Sequence, residues 1–231
     1  MQSNELFTQR HTILLDGGMG TMLQAAGLKL GARPEELNIT DPETIQRIHG
    51  MYAAAGSRII NTNTFGASGH KLAKSPYTVE EVIAAGVACC KKACAPYGAL
   101  TALDIGPLGE LLEPNGTLPF ETAVVETFTD LYELKAALLA VKENCKLPVL
   151  ASMSFEARGR TFTGCTVESF AATARGLGAD ALGINCSLGP QEIFPMAKRL
   201  AESLPGDFPV FVKPNAGLPR ADGSGYDITP E

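Results

Sequence analysis

The chain has 231 residues, 45% hydrophobic and 19% charged, with a formal net charge of −6 and no Trp. That length suits a single domain whose core needs neither disulfides nor metal staples. The acidic balance and the lack of a Lys/Arg cluster exclude a nucleic-acid face. No apolar run approaches the ~18 residues of a membrane span, and Met1-Gln2-Ser3-Asn4-Glu5 lacks the basic and apolar regions of a signal peptide. Six cysteines in a chain of this size read as cytosolic free thiols or metal ligands, so the expectation is a cytoplasmic protein with no membrane partner.

In chain order, short β-type runs alternate with helical stretches. The runs are Thr12–Leu15, Arg58–Asn61, Ala99–Ile105, Ala123–Glu126, Pro148–Met153, Ala179–Asn185 and Pro209–Lys213. Each is apolar at nearly every position, the pattern of a parallel strand buried on both faces. Helical spacing marks Pro42–Ala55, Thr78–Ala95, Leu131–Glu143, Val167–Leu177 and Gln191–Leu204. Asp41 before Pro42 is an N-cap followed by proline at the first helical position.

Alternating strand and helix predicts a parallel α/β fold with right-handed crossovers. A doubly wound open sheet and a (β/α)8 TIM-type barrel both satisfy that pattern. The polar clusters decide for the barrel. Asp16-Gly17-Gly18, Asn61-Thr62-Asn63-Thr64, Gly106-Pro107, Glu126-Thr127, Asn185-Cys186-Ser187 and Pro214-Asn215-Ala216-Gly217 all follow their strands. A barrel gathers every such strand end at one mouth, whereas an open sheet gathers only those near its switch point. Seven runs are one short of eight, and Gly106–Thr122 shows little helical pattern. The barrel is therefore expected to be incomplete, a single domain over residues 1–231.

The loop Asp16-Gly17-Gly18-Met19-Gly20-Thr21 opens a helix. Its glycines allow close backbone approach and its N–H groups attract an anion, while Asp16 suits a cation; together they fit a zwitterion. Asp16 as a plain helix cap is an equal alternative. Glu126 ends a buried strand and needs a positive partner, either a ligand ammonium or a neighbouring Lys or Arg. Cys186 leaves a strand for a polar loop, a place for a nucleophile or metal ligand, although a lone cysteine is usually a small buried hydrophobe. Cys89, Cys90 and Cys94 fall on an outer helix and read as packing, as does Cys145; Cys165 ranks below Cys186. His11, His49 and His70 show no ligand spacing and read as surface or capping residues.

Six segments, in order, resemble the homocysteine S-methyltransferase family from about Thr12 to the end of the chain. They are Leu15-Asp16-Gly17-Gly18-Met19-Gly20-Thr21, Asn61-Thr62-Asn63-Thr64-Phe65-Gly66-Ala67, Asp104-Ile105-Gly106-Pro107-Leu108-Gly109, Glu126-Thr127-Phe128-Thr129-Asp130-Leu131, Gly183-Ile184-Asn185-Cys186-Ser187-Leu188-Gly189-Pro190 and Lys213-Pro214-Asn215-Ala216-Gly217-Leu218-Pro219. The resemblance implies a (β/α)8 barrel that transfers a methyl group to the thiol of homocysteine, with zinc held by three cysteine thiolates and the substrate sulfur. Cys186 matches the first zinc ligand. Asp16 and Glu126 match acidic groups at the amino end of the substrate, Gly17 and Gly18 match contacts to its carboxylate, and Asn63 is carried over as substrate-binding. The cobalamin-dependent branch is the nearest, which implies methylcobalamin carried by another domain or chain as donor; S-methylmethionine, betaine and S-adenosylmethionine are the family's alternatives.

Two departures from the family pattern are expected to matter. The adjacent Cys-Cys that supplies the family's other two zinc ligands has no counterpart, since Cys89-Cys90 lies on the wrong element. The family's helix between the third and fourth strands is also expected to be missing, with Leu118-Pro119-Phe120-Glu121 running into Ala123-Val124-Val125-Glu126. Two other readings follow: a remnant that binds an amino acid or nothing, and a barrel enzyme using Asp16 and Glu126 as an acid/base pair.

Overall fold

The computed structural model describes residues 12–29, 31–107, 122–217 and 228. The chain divides into two compact units, residues 1–124 with 143–148 and residues 125–142 with 149–231. Among the described residues, strand order follows chain order from β1 to β6.

The first unit contains α1 (Met19–Ala25), α2 (Leu37–Thr40), α3 (Pro42–Ala54), β1 (Ile59–Asn61), α4 (Val79–Cys94) and β2 (Leu100–Ile105). Strands β1 and β2 are parallel, with Ile60 opposite Thr101 and Asn61 opposite Ala102. The helix starts follow from their sequences. Asp41 accepts the Thr44 N–H at 3.2 Å with Pro42 at the first helical position. At α4, Thr78 Oγ1 accepts the Glu81 N–H at 3.2 Å, and Glu81 Oε2 accepts the Thr78 N–H at 2.9 Å. This reciprocal pair satisfies two of the donors that a helix start leaves open.

The run Thr12–Leu15, expected as a buried strand, is reduced to one parallel bridge between Leu15 and Ile59. Two backbone bonds hold it: Arg58 N–H to Leu14 O at 2.8 Å and Asp16 N–H to Ile59 O at 3.1 Å. Leu14 is 55% exposed, so this run is covered on one face at most and lacks the burial that a full strand needs.

Helices α3 and α4 bury their apolar stripes in two clusters. Leu23, Ile45, Ile48 and Cys89 form one, and Ala53, Ile60, Cys90 and Cys94 form the other. Each aliphatic side chain so buried contributes roughly 1.5–3 kcal/mol. The three α4 cysteines are packing residues, as expected. Cys90 and Cys94 place their sulfurs 3.7 Å apart, and this contact, ahead of burial, drives the Cys90 thiol pKa well up. His49 overturns the expectation of a surface or capping role. It sits on the buried face of α3 beside Ile45 and Ile48, fully enclosed, and desolvation lowers its pKa to about 4. His11 lies outside the described residues.

Strand β3 (Thr122–Phe128) begins in the first unit and ends in the second, two residues beyond the end expected for it. The second unit continues with α5 (Leu131–Asn144), all but its last two residues, and with β4 (Val149–Met153), α6 (Val167–Gly176), β5 (Ala181–Asn185), α7 (Pro190–Glu202) and β6 (Val210–Lys213). β4 pairs with β5 and β5 with β6, both parallel. Gly183 lies opposite Phe211 in that ladder, and a Cβ on Gly183 would stand 2.6 Å from the Phe211 ring. Glycine at 183 is what admits the ring this close to β5. The expected loss of a helix before β3, argued on Leu118–Glu121, lies outside the described residues.

In a flat sheet, two strand spacings of about 4.8 Å would hold β3 and β5 roughly 10 Å apart. Yet the short Asn185 side chain reaches from β5 to the Thr127 N–H at 3.2 Å. The C-terminal strand ends of this unit therefore converge, which places their side chains within reach of one another.

Candidate functional site

In the first unit, the end of the Leu15 bridge carries Asp16, Gly17 and Gly18. Asp16 Oδ2 accepts the Asn61 N–H at 2.9 Å, tying the turn to the end of β1. From α3, Tyr52 donates its hydroxyl to Gly18 O at 3.1 Å. A Cβ at Gly17 would lie 2.9 Å from Tyr52 Cε1, so glycine at this position is what admits the ring. The turn is thus braced from behind by an aromatic side chain.

Asn63 follows β1 and is 5% exposed. Its Nδ2 donates to Pro34 O at 2.8 Å and to Asn38 Oδ1 at 3.0 Å. Asn38 returns a bond to Asn63 O at 2.8 Å and adds one to Val82 O at 3.2 Å. Thr64 Oγ1 donates to Asp104 O at 2.8 Å, and the Asp104 N–H donates to Thr62 Oγ1 at 3.1 Å. These bonds fix the loop after β1 to α2, α4 and β2.

In the second unit, Glu126 of β3 pairs with Lys213 at the end of β6 at 2.9 Å, their side chains 11% and 17% exposed. Of the two partners foreseen for this carboxylate, the folded chain supplies the lysine. Cys186 follows β5 with φ +59°, and its neighbour Ser187 has φ +62°. Two successive non-glycine residues in the left-handed region are strained, a condition that collects at functional sites. The Cys186 N–H donates to Lys213 O at 3.0 Å, so the thiol and the ion pair share one corner of this unit.

Asn185 organises that corner, and sequence reasoning did not single it out. Its Oδ1 accepts from Ser152 Oγ at 2.9 Å and from the Thr127 N–H at 3.2 Å. Its Nδ2 donates to Thr127 Oγ1 at 2.6 Å and to Cys186 Sγ at 3.4 Å. Thr127 Oγ1 is itself 3.8 Å from that sulfur. Thr127 has φ +67°, a costly conformation for a β-branched residue, and the amide clamp holds it there. Lys213 was equally missed as a side chain: a lysine ending a strand next to Pro214-Asn215 was its only signal. Cys165 is engaged elsewhere, its thiol donating to Thr166 O at 3.3 Å, with its pKa raised by burial and by Asp130.

Among the described residues, no three His, Cys, Asp or Glu side chains gather as a metal-binding group. A catalytic zinc takes three protein ligands and keeps a fourth position open. Among the groups around Cys186 are the Thr127 hydroxyl and the Asn185 amide N–H that points at the sulfur; of these three only the thiol is a zinc-ligand type, and further ligands would complete the set.

The sequence pattern of the family described as Homocysteine S-methyltransferase matches residues 13–124 and again 120–231. The chain belongs to the homocysteine S-methyltransferase family. The two matched segments meet on β3. Methionine synthase of Mycobacterium tuberculosis (strain ATCC 25618 / H37Rv) is 29% identical over 94% of the chain, and that of Mycobacterium leprae (strain TN) is 28% identical over 94%. The chain spans about a fifth of the length of these curated relatives, 21% of each. Among solved structures, the homocysteine methyltransferase MmuM from Escherichia coli in its metallated form superposes with a TM-score of 0.78 at 21% identity, covering 90% of this chain and 85% of that one. Its oxidised form gives 0.80 at 20% identity, covering 92% and 85%. The homocysteine S-methyltransferase fold is thus shared: α/β, of the TIM-barrel type and incomplete, with six strands among the described residues. No helix among the described residues is long and apolar enough to cross a membrane.

Proposed function

We propose that this chain binds homocysteine and presents its thiol for methylation to methionine, with methylcobalamin, brought by another domain or chain, as the donor. The observation that carries the reading is the corner at Cys186, where a thiol in a strained turn is held by Asn185 and Thr127 beside the Glu126–Lys213 pair. An α-amino acid carries both charges. It can add to that pair without leaving either ion unmatched in a half-dry site. Glu126 then takes the ammonium. In the first unit, the family likeness alone puts forward Asp16, Gly17, Gly18 and Asn63 as substrate-binding residues.

The reaction is a displacement: the homocysteine sulfur forms a bond to the methyl carbon as the bond from that carbon to its donor breaks. A free thiol with a pKa near 8.5 is mostly protonated at neutral pH and needs activation. The family likeness assigns that task to zinc, for which Cys186 would be one ligand and further ligands would have to join it. The second reading is a chain that binds homocysteine without turning it over.

Calorimetry with homocysteine, with and without zinc, tests the proposal, followed by methyl transfer from methylcobalamin. Saturable binding that Cys186→Ala weakens is the expected result. Binding without turnover leaves the second reading standing, and no binding under either condition removes both.

A further inference from the structure

Four asparagines are buried among the described residues: Asn38, Asn61, Asn63 and Asn185, at 2%, 6%, 5% and 1% exposure. The side chains of Asn38, Asn63 and Asn185 are wired into the bonds described above. Asn61 differs. Neither its Nδ2 nor its Oδ1 has a hydrogen-bond partner among the described residues. A primary amide enclosed with both ends unmet costs folding free energy that an apolar side chain of the same size would not.

Its position says what the amide faces. Ile60 packs with Cys90, Cys94 and Ala53 on the helix side, so Ile59 and Asn61 point to the opposite face of β1. Asn61 is the last residue of the strand, on the end where barrel enzymes place their sites. Its cross-strand neighbour is Ala102, whose methyl group offers nothing to bond. Its own backbone N–H is given to Asp16 Oδ2 at 2.9 Å, which ties the backbone of this residue to the carboxylate of the candidate site.

We propose that Asn61 is a substrate-binding residue whose side-chain amide receives the α-amino-acid end of the ligand next to Asp16. An amide offers a donor and an acceptor a little over 2 Å apart, so Nδ2 suits a carboxylate and Oδ1 an ammonium group. Because it is neutral, it matches a zwitterion without disturbing the charge of Asp16. The proposal rests on the reading of this chain as a homocysteine binder and adds Asn61 to the substrate-binding residues put forward in the first unit.

The test compares wild type and Asn61→Leu, which keeps the branched shape and removes both polar atoms, by calorimetry and thermal melting. Three ligands are used: homocysteine, 3-aminopropane-1-thiol, which lacks the carboxylate, and 4-mercaptobutanoate, which lacks the ammonium. The expected result is a melting temperature equal to or above that of wild type, a loss of at least tenfold in homocysteine affinity, and a smaller loss for each truncated ligand. Wild-type affinity in the variant would overturn the proposal and leave the amide as the seat of a buried water. An equal loss for all three ligands would also overturn it, since that marks a general disturbance of the strand end. Failure of wild type itself to bind homocysteine would instead remove the underlying reading, and this proposal with it.

Discussion

Asn185 holds Thr127 at two points, accepting its N–H at 3.2 Å and donating to its hydroxyl at 2.6 Å. The clamp keeps a β-branched residue at φ +67°, a conformation costing on the order of 1–3 kcal/mol. Asn185→Ala removes the clamp and leaves Ser152 Oγ and the Thr127 N–H without their acceptor. A destabilisation of about 2–4 kcal/mol is expected, measured by urea unfolding. In a Thr127→Gly background the same substitution should cost at least about 1 kcal/mol less, because glycine adopts this conformation unaided.

The Glu126–Lys213 pair is 2.9 Å long and mostly enclosed. Removing one partner leaves a charge with poor solvation, whereas removing both leaves none. Glu126→Gln and Lys213→Met should each destabilise the chain more than the double variant does. A coupling of about 1–3 kcal/mol is expected from the double-mutant cycle, and additive single costs would show that the pair is not coupled in solution.

His49 gives the fold an acid limit. Its pKa falls from 6.5 to about 4 because burial disfavours the charged ring. The unfolded chain thus binds more protons between these values, and stability drops as pH falls through that window, being full above pH 6.5. The loss from pH 7.5 to pH 4.5 should be about 2.5 kcal/mol from this residue, read as a shift in urea midpoint. His49→Leu should flatten the acid limb.

Thiol labelling separates the cysteines. Cys89, Cys90 and Cys94 are buried, while Cys145, Cys165 and Cys186 are partly exposed. Burial is the first cause raising the Cys89 thiol, and contact with Cys94 the first for Cys90, so neither supplies much thiolate at neutral pH. Iodoacetamide should leave the three α4 cysteines unmodified in the native chain and reach them only on unfolding, as peptide mass spectrometry would record.

Gly183→Ala would drive a methyl group to 2.6 Å from the Phe211 ring. A loss of about 1–3 kcal/mol is expected, with partial recovery in Gly183→Ala/Phe211→Leu.

How much of this was readable from the sequence depended on the range of the interactions. Asp41-Pro42 and the strand-to-helix beat are local, and both helices and strands fell where their residues placed them. Thr12–Leu15 read as a strand because its composition is right; what it lacks is cover on its second face, which only the fold decides. Asp16, Asn63, Glu126 and Cys186 stood out as chemistry-bearing types at strand ends. Lys213 sits 87 residues from Glu126, and Asn185 sits 58 from Thr127, and nothing local pairs residues so far apart. His49 escaped because a histidine on an apolar helix stripe looks the same in sequence whether its nitrogens reach water or not.

The ring of Tyr52 stands where a side chain at Gly17 would have to go. Positions 17 and 52 therefore draw on a single fixed volume, one in the turn and the other in α3. Any lineage that enlarges the first must shrink the second, and would loosen in the same step the hydroxyl grip on Gly18.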